Sequence, residues 1–391
     1  MKSITCSFLF LQLGVLMFAC GLLASCSEET VAQLSQSEEC VTDQDLKSIS
    51  KLFAIVGNDH DICCEVNQAV AESIHKHLDE QLYFRDIYGD QSEASRSLKE
   101  GRSSKLMESI GKAVSLFEKT RSTEGFSNDI ISVMMREDIE LYWPYSESWN
   151  GTETPVITFA PVHGQSADDV VAYKYDESAS SFSDVIINET YAMAHPVWVI
   201  RLSEIPYEER DLVPVFVPID KEDLVVTRSG NIGHSWEMDS LRCVYQYDSW
   251  LLGGPDFRFV IAYPQQTGTV AETTEFRETF TRSQVNNREA KYFFYRPLNQ
   301  DWTEYQLTNH LRLIEEDRTG GNSATLELTA TRKVGDTTVS CKVTIPLSSY
   351  DTSVASEVFA RSAVLSPDNP RVFWFDQNRV EMGHTMRQFS Y

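Results

Sequence analysis

Basic residues are scarce in this chain. Its 391 residues hold 34 Lys and Arg against 58 Asp and Glu, a formal net charge of −24. Proteins that bind nucleic acid draw affinity from cations set on phosphates, so a nucleic-acid partner is not expected. A peripheral hold on anionic lipid is disfavoured for the same reason. Catalytic signatures are missing as well. None of the eight histidines forms the His-Glu-x-x-His pattern of zinc proteases. Gly164-Gln165-Ser166-Ala167-Asp168 lacks the final glycine of a nucleophile elbow. There is no phosphate-cradling Gly-Lys loop, no dinucleotide fingerprint and no Cys-x-x-Cys. These absences leave room for a glycosidase, whose two carboxylates need no fixed spacing.

What is present begins with an apolar leader. Lys2 is the sole charge before Cys26, and Ile4 to Ala24 is almost wholly apolar. A positive start, an apolar core and small residues form a secretory signal pattern. Leu23-Ala24-Ser25-Cys26 resembles the lipobox of bacterial lipoproteins, in which the thiol is lipidated and the chain is cut before it. Cys20 follows the bulky Phe18 and fits that box poorly. Ser27, Glu28 and Glu29 resemble the acidic export signal of surface lipoproteins of Bacteroidota. The resemblance implies lipidation at Cys26 and an outer-membrane, lipid-anchored location, facing either the cell surface or the periplasm. Each buried methylene of such an anchor contributes about 0.8 kcal/mol.

The chain has eight cysteines. Cys6 and Cys20 would leave with the leader and Cys26 would carry lipid. Cys40, Cys63, Cys64, Cys243 and Cys341 then remain, an odd number. A bridge from Cys40 to Cys63 or Cys64 is permitted in an oxidising compartment. Buried, unpaired thiols are the simpler expectation.

The segmentation expected is a signal at 1–25, an acidic tether at 26–41, a helical region at 42–137, a mixed β-rich region at 138–220 and a β-sandwich-like domain at 221–391. The helical region contains no proline. Ile62, Val66, Val70, Ile74 and Leu78 recur at four-residue steps, with Asp61 as the expected N-cap. Leu106, Ile110, Val114 and Phe117 repeat the pattern. Beyond Trp143 the texture changes to short β-branched and aromatic runs bounded by Pro, Gly, Asp and Ser, such as PVITFAPV, HPVWVIRL and DFRFVIAYP. KYFFYRPL reads as one more strand, and residues 203–220 read as a proline-rich joint. The fold class expected is α+β, helical first and β-rich after, ending in an Ig-like or C2-like sandwich.

Candidate ligand groups are few. The cluster NDHDICCE offers metal-ligand types at a helix start, but consecutive helical residues diverge. Glu315, Glu316 and Asp317 gather at a strand end, and carboxylates there suit calcium, which takes six to eight oxygens. No other cofactor is suggested. Trp143, Tyr145, Trp149 and Trp250 lie among polar residues and turn signals, as aromatics that hold a glycan or protein partner do. Trp198 is flanked by apolar residues and belongs to a core. The function expected is a non-enzymatic binding or accessory lipoprotein for a glycan, peptide or protein. A secreted hydrolase, with a carboxylate pair or an unrecognised peptidase site, is the alternative. A structural envelope component is the third reading.

Overall fold

Helix α1, Asp43–Val56, starts where Thr42 and Asp45 form a capping box, each side chain taking the other's free backbone N–H. It stops at Gly57, where a Cβ would meet Pro155 Cγ at 3.1 Å and the Phe53 carbonyl oxygen at 3.2 Å. Helix α2, His60–His75, is capped by Asp59, which accepts from the Asp61 N–H. The expected cap was Asp61. The cap sits two residues earlier because Asp59 has the extended backbone that a cap needs, while Asp61 is already helical.

The computed structural model describes residues 41–76, 78–88, 103–120, 130–136, 138–162, 168–204, 232–265, 268–317, 323–348 and 351–390. The leader, the acidic tether, Cys26, Cys40 and the proline-rich joint from residue 205 on lie outside them. None of the described helices is long and apolar enough to cross a membrane.

Strand β1, Gln81–Tyr83, interrupts the helical region and runs into α3, Phe84–Tyr88. Helices α4, Ser103–Thr120, and α5, Ile130–Arg136, follow. Then come β2 (Ile139–Tyr142), β3 (Val156–Phe159), β4 (Val170–Asp176), β5 (Ser181–Ile187), the short α6 (Glu189–Ala192) and β6 (Val197–Leu202). They make one sheet in the order β1-β2-β6-β3-β4-β5, in which β3 and β6 are parallel. The helices are not a separate layer with its own core. Ile49, Phe53, Val66, Ile110 and Phe117 share a core with Leu141, Trp143, Ile157 and Trp198 of the sheet side. Phe53 stacks on Phe84 at 4.9 Å, and Trp143 meets Trp198 edge-on at 5.6 Å. Each such buried side chain contributes about 1.5–3 kcal/mol.

The rest of the chain is β-rich. Strands β7 (Ile232–Cys243), β8 (Asp256–Pro264) and β9 (Ala271–Thr279) precede the short helix α7 (Arg282–Asn286). The expected strand KYFFYRPL is instead two three-residue strands, β10 (Ala290–Tyr292) and β11 (Pro297–Asn299), both paired to β7. Next are β12 (Gln306–Glu315), β13 (Ser323–Val334), β14 (Thr337–Ser348), β15 (Thr352–Ala360), α8 (Arg361–Val364), β16 (Val372–Phe375) and β17 (Val380–Ser390). One sheet runs β10-β7-β17-β16, and the other runs β14-β13-β12-β8-β9 with β15 also on β12. They face each other across Trp236, Phe257, Phe259, Leu311 and Met382.

The second sheet also buries its far side. Phe257, Phe259 and Ile261 of β8 enter the shared core, while Val260 and Ala262 enter another with Ile314, Leu328, Cys341 and Ile345. Strands covered on both faces read as continuous apolar runs, as DFRFVIAYP does. A bridge from Val270 to Lys342 brings the start of β9 to β14 and curls the sheet upon itself. The fold is thus a β-rich α+β fold with several sheets.

Candidate functional site

The densest chemistry lies where the first sheet meets the loop between β7 and β8. Arg201, near the end of β6, is 1% exposed. Its Nε donates to Glu140 Oε1 at 2.6 Å, and its Nη2 reaches Gln81 Oε1 at 3.2 Å and Asp79 Oδ2 at 3.4 Å. Its guanidinium lies over the Tyr142 ring, 4.3 Å from the centroid. Its Nη1 donates to the Leu252 carbonyl in the loop. Arg282 of α7, equally buried, donates to the carbonyls of Asp248 at 3.1 Å and Gly253 at 2.8 Å, and to Glu189 at 2.8 Å. Two arginines therefore clamp the loop backbone. Gly253 has φ +104, and a Cβ there would strike Asp79 Oδ2 and come within 2.7 Å of Arg201 Nη1.

Acidic groups converge beside this clamp. Carboxylate oxygens of Asp248, Glu315 and Asp317 lie within 4.8 Å of one another. No other three Asp, Glu, His or Cys side chains gather so closely among the described residues. Glu204, just beyond β6, is 4% exposed, and its carboxylate oxygens receive no hydrogen bond from an N–H group, their close polar neighbour being the Asp256 carboxyl. Burial pushes its carboxyl well above the usual range, and the Asp248 charge adds to the push. Glu315 is pushed up by burial and then by Asp248. Asp256, which accepts from the Thr279 hydroxyl, is pushed up to about 7, by burial first and then by Asp79. All the donors here are hard oxygens, the set preferred by calcium or magnesium over softer metals.

Two residues of the expected acidic set are therefore brought together, and the third is not. Glu316 follows Glu315 on an extended backbone and points to the other side. There it meets Arg277, with Nη2 3.0 Å from Oε1, and Arg258, 3.7 Å away. Sequence reading missed Asp248, Glu204 and Asp256. Each is distant in sequence, and only the fold delivers them.

Three of the four expected aromatics are covered and the fourth is half-buried. Trp143 is 1%, Tyr145 6% and Trp250 5% exposed, so their faces are covered by the protein itself. Tyr145 donates its hydroxyl to Glu189 at 2.7 Å and accepts from Asn286 at 3.0 Å. Trp149 is half-buried against Trp143, and its Nε1 donates to the Glu153 carbonyl at 2.8 Å. These rings read as polar-flanked because they cap cores at segment ends and carry polar tips that need partners.

Exposed aromatics stand elsewhere. On the outer face of the β10-β7-β17-β16 sheet, one cross-strand row is Tyr292, Ser240, Gly383 and Val372. The adjacent row on that face is Ala290, Arg242, Glu381 and Trp374. Lys291, Leu241, Met382 and Phe373 form the intervening row, which faces inward; Leu241 and Met382 belong to the shared core. Tyr292 is 82% and Trp374 44% exposed. Between these edges the floor is small, and a Cβ at Gly383 would run into Ser240 Oγ. Arg242 pairs with Glu381 and lies over the Trp374 ring at 5.5 Å. Three inter-strand spacings separate Tyr292 from Val372, about 14 Å. The hairpin turn at Asp376, Gln377 and Asn378, all with positive φ, closes the end of β16.

The chain matches no protein-family model, no curated protein and no solved structure.

Of the expected cysteines, Cys63, Cys243 and Cys341 are buried free thiols and Cys64 is an exposed one. Cys64 Sγ lies 3.8 Å from His60 Nε2, one helical turn away.

Proposed function

We propose that this chain is a lipid-anchored envelope protein that binds a glycan as an accessory component, without turning it over. The observation that carries the reading is the outer face just described. An exposed tyrosine and an exposed tryptophan flank a floor of serine and glycine, with an arginine–glutamate pair beside them. Aromatic faces suit the C–H faces of a sugar ring, and charged side chains suit its hydroxyls. Of the carboxylates that gather most closely, Glu315 is buried and Asp248 and Asp317 are half-buried beside the clamp, away from that outer face. Attachment through lipid on Cys26 rests on the leader alone. The two facing sheets support the Ig-like or C2-like class expected from the sequence, and that class is part of this reading.

Full-length protein in detergent, titrated calorimetrically against a panel of soluble glycans, tests the binding. Saturable heat with one glycan is expected, lost in Tyr292→Ala and Trp374→Ala and kept in Trp149→Ala. Binding that survives both of the first two substitutions would refute the face. Metabolic labelling with a fatty acid tests the anchor, with loss of label expected in Cys26→Ala.

A further inference from the structure

We infer that Asp248, Glu315, Asp317 and Glu204 hold a divalent cation, calcium by its chemistry, at the joint between the first sheet and the β-rich part. This goes beyond the glycan reading and does not depend on it.

Three carboxylates with oxygens within 4.8 Å of one another are a strained arrangement without a positive charge between them. Acidic clusters are common on surfaces, where water relieves the repulsion. Here the relief is partial, because Glu315 is 1% exposed while Asp248 and Asp317 are half-buried. The second, independent sign is Glu204. Its side chain is 98% buried, since 2% is accessible. Neither of its oxygens receives a hydrogen bond from an N–H group, its close polar neighbour is another carboxyl, Asp256, and its strongest charged influence is Asp248. Buried polar groups nearly always find partners, and a charged one left unpaired is costly. Arg201 Nη1 is 4.0 Å from Glu204 Oε2, beyond hydrogen-bond reach, and that arginine already serves Glu140 and Leu252. Asp248 Oδ2 and Glu315 Oε1 are likewise buried without hydrogen bonds. One ion among Asp248, Glu315 and Asp317 would offset their mutual repulsion and that of Glu204, whose charge acts on Asp248 and Glu315.

The scaffold is suited to holding it. Arg282 fixes the Asp248 backbone from behind, through the carbonyl. Glu315 is in register with Phe257 of β8, and the Glu316 N–H donates to the Asp256 carbonyl at 2.8 Å. Glu204 comes from β6 of the first sheet, so the ion ties the two parts of the fold. The all-oxygen, mostly carboxylate donor set selects calcium over zinc or copper.

The test is calorimetric titration of the full-length protein with calcium chloride after chelator treatment, alongside thermal unfolding with calcium or with chelator. One calcium per chain and a higher unfolding midpoint in calcium are expected, because a ligand that binds only the native state stabilises it. Asp317→Asn, at the half-buried rim, is expected to weaken calcium binding about tenfold or more while the chain stays folded in chelator. Glu204→Gln is expected to abolish the calcium-dependent shift. In chelator its midpoint should not fall, because the amide replaces a buried carboxyl that burial already favours in its uncharged form, and this separates site loss from misfolding. Absence of calcium heat in the wild-type chain overturns the inference. So does a calcium-dependent shift that persists in both variants.

Discussion

Glu140 and Arg201 are direct cross-strand partners on β2 and β6, and Arg201 Nε lies 2.6 Å from Glu140 Oε1 with both side chains at or below 1% exposure. A buried pair of this kind depends on both members. Burial pushes the Glu140 carboxyl up, and the arginine pulls it back down.

Removing one member leaves the other charged and dry. Arg201→Ala and Glu140→Ala are each expected to cost about 3–5 kcal/mol in urea unfolding. The double replacement Glu140→Leu with Arg201→Met should cost much less than the sum, because no orphaned charge remains between those two. Additive losses would show that the pair is not coupled.

Gly253 is held in a backbone region that other residues enter only at a penalty, and its missing Cβ makes room for Asp79 and Arg201. Gly253→Ala should destabilise by at least ~1–3 kcal/mol. Gly151, with φ +77 and open space around it, is the control. It should lose only the backbone part, so equal losses at the two sites would refute the packing argument.

Buried and exposed aromatics should respond in opposite ways. Trp143→Ala is expected to cost about 3–5 kcal/mol of stability. Tyr292→Ala should change stability by no more than about 0.5 kcal/mol while removing glycan binding. Chemical denaturation and titration on the same two variants check this.

His384 makes stability depend on pH. Trp236 Nε1, which can only donate, faces His384 Nδ1 at 3.2 Å, and Nε2 lies 3.1 Å from the Pro370 carbonyl. The neutral ring protonated at Nε2 fits both. Burial pulls its pKa below the ordinary value, with the Pro370 carbonyl opposing and Arg371 adding. The unfolded chain therefore binds more protons once the pH falls below the unfolded value of about 6.5. Stability should be complete above that value and should decline as pH falls toward the folded value. His234 and His310 shift in the same direction, each through burial and a neighbouring arginine, and deepen the decline. Buried carboxyls such as Asp256, pushed up to about 7, move stability the opposite way in the same window, so the measure is the difference in urea midpoint between pH 7.5 and 5.5 in the wild type against His384→Gln. The variant should lose less, or gain more, on acidification, and an unchanged difference would refute the assignment.

The helices and most strands could be read from local pattern. Four-residue steps through Ile62 and Val66 and alternation in β14 are properties of a segment by itself. What could not be read depends on partners. β1 is three residues inside a helical stretch, and pairing with β2 alone makes it a strand. Trp143 and Trp250 looked solvent-facing because a sequence shows neighbours along the chain and not those across a core. Half of the acidic site was visible, since Glu315 and Asp317 are two residues apart in the chain. Asp248 and Glu204 were not, because their approach is a product of three separate elements.

Val41, where the described fold begins, is buried in the first core. A chain shortened past this residue would open the edge of that core to water, so any shorter form of the protein that keeps its helices packed has to begin before it.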